Sequence, residues 1–102
     1  MQCLSIQLDP RRNTQYSPDD LIRHVKTLGR YPEIDSDDAH APYINLNFFT
    51  EDVTKLWAEF NEGLMKAPGL GPWLKQTAVI VRENSENSGE FVVLWHYDQR
   101  SD

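Results

Sequence analysis

Carboxylates cluster in one segment of the sequence that lacks a regular hydrophobic pattern. Residues 30–42 hold four acidic side chains and two prolines. The motif Asp35-x-Asp37-Asp38-x-His40 brings oxygen donors together, but it lacks the glycine and the twelfth-position glutamate of an EF-hand calcium loop. We therefore predict no metal site. The segment is either a solvated acidic loop or a surface that steers a basic partner into contact.

Two arginines and a histidine form a second candidate site, in this case for anions. Arg11 and Arg12 follow the first predicted strand, and His96 lies near the end of the last. Ligands of open α/β sheets bind at the carboxyl ends of the strands, where helix N-termini attract anions. We expect these three side chains to meet there, in a small enzyme or an anionic-ligand domain. No catalytic residue is assigned, because the lone Cys3 has no recognisable partner base.

The last predicted strand is apolar on both faces, unlike the strands before it. One face carries four large side chains: Phe91, Val93, Trp95 and Tyr97. A strand with two apolar faces is either covered on both sides or lies at an exposed edge where another chain can pair with it. These four residues are therefore a candidate self-association surface. Burial under a helix or under the C-terminal tail is the alternative.

The elements that carry these residues follow from periodicity and turn signals. Strands are predicted at residues 3–8, 43–49, 77–81 and 91–97, the last two forming a hairpin. One helix is predicted from a Ser17 cap to a stop at Gly29, and a second from a Thr50 cap to a stop before Pro68. Residues 69–75 are predicted to form a turn with at most one short helical turn.

The order β-α-β-α-β-β favours an α/β (α+β) domain, with a mixed sheet of four strands and two helices on one face. The first two strands are expected to run parallel, joined by a right-handed crossover, with the hairpin antiparallel to them. This order resembles the start of the thioredoxin-like fold without its final helix. The Cys-x-x-Cys pair is missing, so no redox chemistry is implied. A rearranged ferredoxin-like sandwich is the alternative.

In that topology, segment 30–42 and the hairpin tip at 82–90 would lie at the same edge of the sheet. The residues of that edge share negative charge and form the predicted partner-binding surface: Glu33, Asp35, Asp37, Asp38, Glu83, Glu86 and Glu90. Arg11, Arg12 and His96 would lie at the opposite edge, together with the N-termini of both helices.

Length and charge narrow the function. A chain of 102 residues fits a single domain spanning 1–102, and a formal net charge of −6 disfavours direct binding to nucleic acid. A single cysteine permits no intrachain disulfide, and no signal peptide or membrane segment is recognisable, so we expect a cytoplasmic protein without cofactor. We predict a small acidic protein-binding domain, an inhibitor of the immunity or antitoxin type that occludes a basic site on a toxin or nuclease. A small enzyme or anionic-ligand-binding domain, and a homodimeric structural or regulatory protein, are the alternatives.

Overall fold

The computed structural model describes residues 2–37, 43–83 and 90–98. Over these residues the chain forms five strands and three helices, in the order β1 (Gln2–Leu8), α1 (Pro18–Thr27), β2 (Glu33–Asp37), β3 (Tyr43–Thr50), α2 (Val53–Gly63), α3 (Leu70–Thr77), β4 (Ala78–Glu83) and β5 (Phe91–His96). The predicted α+β class is confirmed. The numbers of strands and helices are each one higher than predicted.

The five strands form one sheet in the order β2-β3-β1-β4-β5, and every neighbouring pair is antiparallel. The predicted parallel pairing of 3–8 with 43–49 is therefore wrong. These segments correspond to β1 and β3, which run antiparallel with Ile6 opposite Leu46. The reason is β2, since an additional strand between α1 and β3 reverses the direction of the chain once more.

The sheet order separates this protein from the thioredoxin-like arrangement. Strands β1 and β2 are both antiparallel to β3, which lies between them, so they run parallel to each other on either side of it. This is the split β-α-β arrangement of ferredoxin-like sandwiches. The alternative topology from the sequence is thus the nearer one, and β5 extends it by one strand beyond β4.

The two elements missed in the sequence have weak local signals. Strand β2 contains a single apolar residue, Ile34, which is exposed at the edge of the sheet. Helix α3 starts with Leu70-Gly-Pro72, a sequence typical of turns. Its proline lies in the first turn, where a helix needs no backbone N–H from that position. Burial of Trp73 and Leu74 then stabilises the helix.

The hydrophobic core lies on one side of the sheet. Leu4, Ile6 and Leu8 of β1 are fully buried, and the buried residues beside them are Leu46 and Phe48 of β3 and Ala78 and Ile80 of β4. The helices contribute Leu21, Val25, Val53, Leu56, Phe60, Leu70, Trp73 and Leu74, and the turn after α2 contributes Leu64 and Met65. The three helices of the described residues therefore pack on the same side of the sheet, and none of them covers the opposite side.

The helix ends follow from their capping residues. Ser17 caps α1 and forms a capping box with Asp20, as the Ser-Pro-Asp-Asp start predicts. Gly29 follows the C-cap with φ of 79°, in the expected stop position. Helix α2 is capped by Asp52, whose side chain accepts the Lys55 N–H at 3.1 Å. The predicted Thr50 cap is wrong, because Thr50 is the last residue of β3.

Candidate functional site

The side of the sheet opposite the helices is built from regular structure and carries exposed and half-buried side chains. We call it the open face. Register and strand alternation assign these positions to it: Cys3, Ser5, Gln7, Glu33, Asp35, Asn45, Asn47, Phe49, Val79, Val81, Glu83, Phe91, Val93 and His96. Each described side chain among them is exposed or half-buried, whereas the alternate positions of β1 and β3 contribute to the core.

Side-chain character changes across the open face, from one edge of the sheet to the other. The outer strand β2 presents Glu33 and Asp35. The central strands β3 and β1 present amides and hydroxyls, and Ser5 Oγ donates to Asn47 Oδ1 at 2.7 Å. Strands β4 and β5 present apolar side chains, and Val81 lies directly opposite Val93. The open face is therefore acidic at one edge, polar in the middle and apolar at the other edge.

Three large apolar side chains on this face are more than half exposed. The exposed fractions are 59% for Phe91, 57% for Val93 and 54% for Phe49. Phe91 and Val93 are two residues apart on β5, so they point to the same side. Phe49 lies on β3, opposite Cys3 of β1. Two of the three therefore form a continuous apolar patch with Val81.

Positive charge is excluded from the open face. Among the described residues, no lysine or arginine occupies any of its strand positions. Arg82 comes nearest, but it pairs with Leu4, a core residue, and so lies on the helix side. Glu33, Asp35 and Glu83 consequently have no cationic neighbour on the same surface. A basic molecule that approaches β2 or Glu83 on this face meets carboxylates at described strand positions that hold no lysine or arginine.

The predicted acidic edge is not assembled as a single surface. Strand β2, with Glu33, Asp35 and the backbone of Asp37, lies at one edge of the sheet, whereas Glu83 and Glu90 flank the hairpin at the other edge. Three strand spacings, about 14 Å, separate β2 from β4. The last residues of β2 and β4, Asp37 and Glu83, also lie at opposite ends of the sheet, because β2 runs parallel to β1 and β4 runs antiparallel to it. The remaining members, Asp38 and Glu86, lie outside the described residues.

The predicted self-association row is split by an irregularity in the β4–β5 pairing. The register shifts between Ile80 and Val81, so that Val81 pairs with Val93 and Ile80 pairs with Trp95. Trp95 therefore lies on the helix side, where its indole N–H donates to Lys75 O at 2.9 Å. Only Phe91 and Val93 remain exposed on the open face. The bulge explains why the strand is apolar on both faces, because its core-facing set changes along its length.

The fourth member of that row, Tyr97, lies just beyond β5 against Arg12. The Arg12 guanidinium lies over the Tyr97 ring, 3.8 Å from its centroid. The Arg12 Nε–H donates to Gln76 O at 3.0 Å, and its terminal nitrogen lies 3.7 Å from Asp98 Oδ1. Arg12 and His96 thus come to the same end of the sheet, as expected, but Arg12 is engaged by acceptors of the protein itself.

Arg11 is engaged as well, by Asp9. The backbone N–H and the Nε–H of Arg11 both donate to Asp9 Oδ1, at 3.1 and 3.2 Å. The expected site at two helix N-termini does not form, because antiparallel β1 and β3 place the starts of α1 and α2 at opposite ends of the sheet. The Arg11, Arg12 and His96 set is therefore not a common anion site.

The same end of the sheet contains a depression that the sequence did not indicate. It has a volume of about 320 Å³ and is lined by Gln7, Asp9, Thr77, Val79, His96 and Tyr97. Gln7, Val79 and His96 are open-face positions in one cross-strand row, so the depression is continuous with the open face. We call it the Asp9 pocket. Its signal in the sequence is the alternation of β1, which continues from Ser5 and Gln7 to Asp9.

A second groove, of about 310 Å³, lies on the helix side and is lined by Tyr16, Asp20, Arg23, His24, Thr27 and Leu70. There the His24 ring nitrogen Nε2 lies 2.9 Å from Gly63 O, the last residue of α2. This bond ties α1 to α2 and gives His24 a structural role. The groove carries both signs of charge, since Asp20 and Arg23 approach to 3.4 Å.

Comparisons with known proteins give no relative. No family model, no curated protein and no solved structure matches this sequence. Within residues 2–37, 43–83 and 90–98, no group of three or more His, Cys, Asp or Glu side chains is arranged to hold a metal ion. The helices of that part of the chain are all too short or too polar to cross a membrane.

Proposed function

We propose that this protein is a small binding domain that recognises another protein through the open face of its sheet. The observation that carries the proposal is the composition of that face. It combines Glu33, Asp35 and Glu83 with the exposed apolar side chains of Phe91 and Val93, and it has no lysine or arginine at the described positions. The partner that fits presents basic and apolar side chains together.

The two edges of the face serve different steps of association. Carboxylates on β2 attract a basic surface over a distance and raise the association rate, because opposite charges steer the encounter. The apolar patch of Phe91, Val93 and Val81 supplies buried area once contact is made. The polar middle, where Ser5 bonds to Asn47, offers amide groups that fix the register of the partner.

The charge of the face also argues against two other occupants. Nucleic acid needs lysine and arginine to neutralise phosphates, and these residues lie elsewhere on the described chain. A second copy docked face to face would place the carboxylates of β2 either against those of its own β2 or against the apolar side chains of β5, and both arrangements are unfavourable. A basic protein avoids both problems. The specific form that we favour is an inhibitor of the immunity or antitoxin type, whose acidic face covers a basic site on a toxin or nuclease.

The proposal is tested with two matched double variants. Glu33→Gln/Asp35→Asn removes two charges from the open face. Glu51→Gln/Glu62→Gln removes two charges from exposed positions elsewhere, so both variants have the same net charge. The partner is first identified by affinity capture from the native host and then purified, and association rates are measured by stopped flow at several salt concentrations.

We expect the open-face variant to associate about tenfold more slowly, with a weaker dependence on salt, and the control to behave like the parent. Equal slowing in both variants would mean that net charge, and not the open face, governs association. Unchanged rates in both would refute the proposed role of β2. Circular dichroism spectra of the two variants establish that the fold is retained.

A further inference from the structure

We infer that the Asp9 pocket receives a basic side chain, lysine or arginine, from the protein partner. The inference rests on the proposed function, because the pocket lies at the end of the open face. Gln7 and Val79 belong to both. An elsewhere flat sheet surface thus has a depression of about 320 Å³ with a carboxylate on its wall.

One oxygen of that carboxylate is available to a ligand. The Asp9 side chain is only 11% exposed, and its Oδ1 accepts both hydrogen bonds from Arg11. Among the described residues, the donors recorded at the Asp9 carboxylate both reach Oδ1, and Asp9 lines the pocket, so Oδ2 is the oxygen that we assign to a ligand. A carboxylate oxygen only accepts when ionised, so the group that fits it is an N–H donor.

The charge state of the pocket favours a cation over an anion. The hydrogen bond from the Arg11 side chain lowers the pKa of Asp9 despite opposing desolvation, so the carboxylate is ionised at neutral pH. The backbone N–H of Asp98 donates to His96 Nδ1 at 3.0 Å, so that ring nitrogen already has a partner within the protein. Asp9 is the formally charged residue of the pocket lining, and since Arg11 pairs with its Oδ1 and Arg12 lies over the Tyr97 ring, the preference for a cation depends on the second carboxylate oxygen.

The pocket also suits the shape of a long basic side chain. Its volume corresponds to roughly ten water molecules, more than a single ion or water needs. Val79 and Tyr97 provide apolar and aromatic surface for the methylene stem. The Gln7 amide oxygen is a second acceptor for a guanidinium or an ammonium group that has reached Asp9.

The experiment uses small probes, so that it does not depend on the identity of the partner. N-acetyl-arginine methylamide, N-acetyl-lysine methylamide and the neutral N-acetyl-norleucine methylamide are titrated into ¹⁵N-labelled protein. We expect the two cations to shift the amide resonances of Gln7, Asp9 and Val79 saturably, with dissociation constants on the order of 1 to 10 mM, since one side chain supplies a small part of an interface. Norleucine should leave these resonances unchanged. Equal shifts with norleucine, or a preference for acetate or phosphate, would overturn the inference.

Two residues on the same face of β4, Val79 and Val81, are the sites of the matched variants. Val79→Lys fills the pocket with a tethered ammonium group, whereas Val81→Lys adds the same charge two residues away on the same face, outside the pocket lining. We expect Val79→Lys to abolish binding of both cations and Val81→Lys to weaken it less than threefold. Asp9→Asn should weaken binding at least tenfold. If Asp9→Asn does not fold, the comparison of Val79→Lys with Val81→Lys tests the inference. Equal losses of probe affinity in these two variants would refute it.

Different results would refute the role of the Asp9 pocket and the proposed function. In one case Val79→Lys loses probe binding, but the Glu33/Asp35 variant associates with the partner at the parental rate. This result would support the pocket and refute the open face as a docking surface. The converse result, with slow partner association in the Glu33/Asp35 variant and no cation bound at Gln7 and Val79, would refute the pocket alone.

Discussion

Helix α3 begins at Gly69, whose backbone conformation is one that glycine adopts far more easily than other residues. Replacing Gly69 should therefore destabilise the fold. Gly69 has φ of 77° and ψ of −62°, and the Leu70 N–H donates to Pro68 O at 2.9 Å, which forms a γ-turn with positive φ. A Cβ added here would lie 2.2 Å from the Tyr16 hydroxyl. Gly69→Ala is therefore disfavoured by both its backbone and its neighbour.

The magnitude follows from these two effects. A non-glycine residue in this sparsely populated region costs about 2 kcal/mol. Tyr16 packs edge-on against Trp73 with ring centroids 6.2 Å apart, and displacing it loses about 1 kcal/mol of aromatic contact. We expect Gly69→Ala to lower the free energy of unfolding by about 3 kcal/mol. Gly29→Ala is the matched control, because Gly29 has φ of 79° but nothing within 4 Å of an added Cβ. It should cost only about 1 kcal/mol.

Urea denaturation followed by tryptophan fluorescence measures both values on the same scale. The contribution of Tyr16 is isolated by repeating Gly69→Ala in a Tyr16→Leu background. There the loss should fall to about 2 kcal/mol, because the clashing ring atoms are gone and the backbone cost remains. Equal destabilisation by Gly69→Ala and Gly29→Ala would refute the argument, as would an unchanged effect of Gly69→Ala in the Tyr16→Leu background.

Two further predictions concern the open face and the response to acid. Phe91→Ser/Val93→Ser should weaken partner binding at least thirtyfold, measured by calorimetry, while leaving the fold intact. Ile34 is a similarly exposed apolar residue on the helix side, so Ile34→Ser should change the affinity less than twofold. A larger loss of affinity in Ile34→Ser than in the double variant would rule out the apolar patch. Hydrogen bonds from Ser17 lower the pKa of Asp20, as the Arg11 bonds do for Asp9, so both carboxylates stabilise the fold above the unfolded aspartate pKa of about 3.9. That stability is lost as the pH falls through their lower folded pKa values. Asp20→Asn should therefore flatten the dependence of the unfolding free energy on pH below about 5. An unchanged slope would show that the Asp20 carboxylate does not stabilise the fold.

The long, periodic segments of the fold were predictable from the sequence. Alternation identified β1 and β3, and the apolar repeats with the Ser17 cap identified α1 and α2. Strand β2 was not predictable, because Glu33–Asp37 has one apolar residue and its pairing with β3 is a tertiary effect. Missing this strand reversed the predicted direction of β3. Every assignment of loops to a common edge then changed with it, including the acidic surface.

The site could be predicted only in part, for a similar reason. The apolar character of Phe91 and Val93 follows from the sequence of β5, whereas their exposure is known only from the structure, because burial under a helix or the tail was the alternative. The position of Trp95 does not, because a bulge between Ile80 and Val81 moves it to the helix side, and no residue type in the sequence marks that bulge. The Asp9 pocket depends on the pairing of three strands and on the bonds from Arg11, none of which is local in sequence.

The composition of the open face sets a limit on how a partner can bind. Phe49, Phe91 and Val93 are only slightly more than half exposed, so burying the remaining surface would contribute about 1 kcal/mol for each side chain and about 3 kcal/mol together. Association itself costs on the order of 4 to 15 kcal/mol in lost translational and rotational freedom, so these apolar contacts alone leave little or no net affinity. A stable complex must therefore also use the charged and polar groups of the face. The Asp9 carboxylate is the group best arranged for this, because it is already largely desolvated and held in place by Arg11. Its desolvation cost is thus met mainly during folding, and a basic side chain that reaches it gains more than it would from the exposed carboxylates of β2.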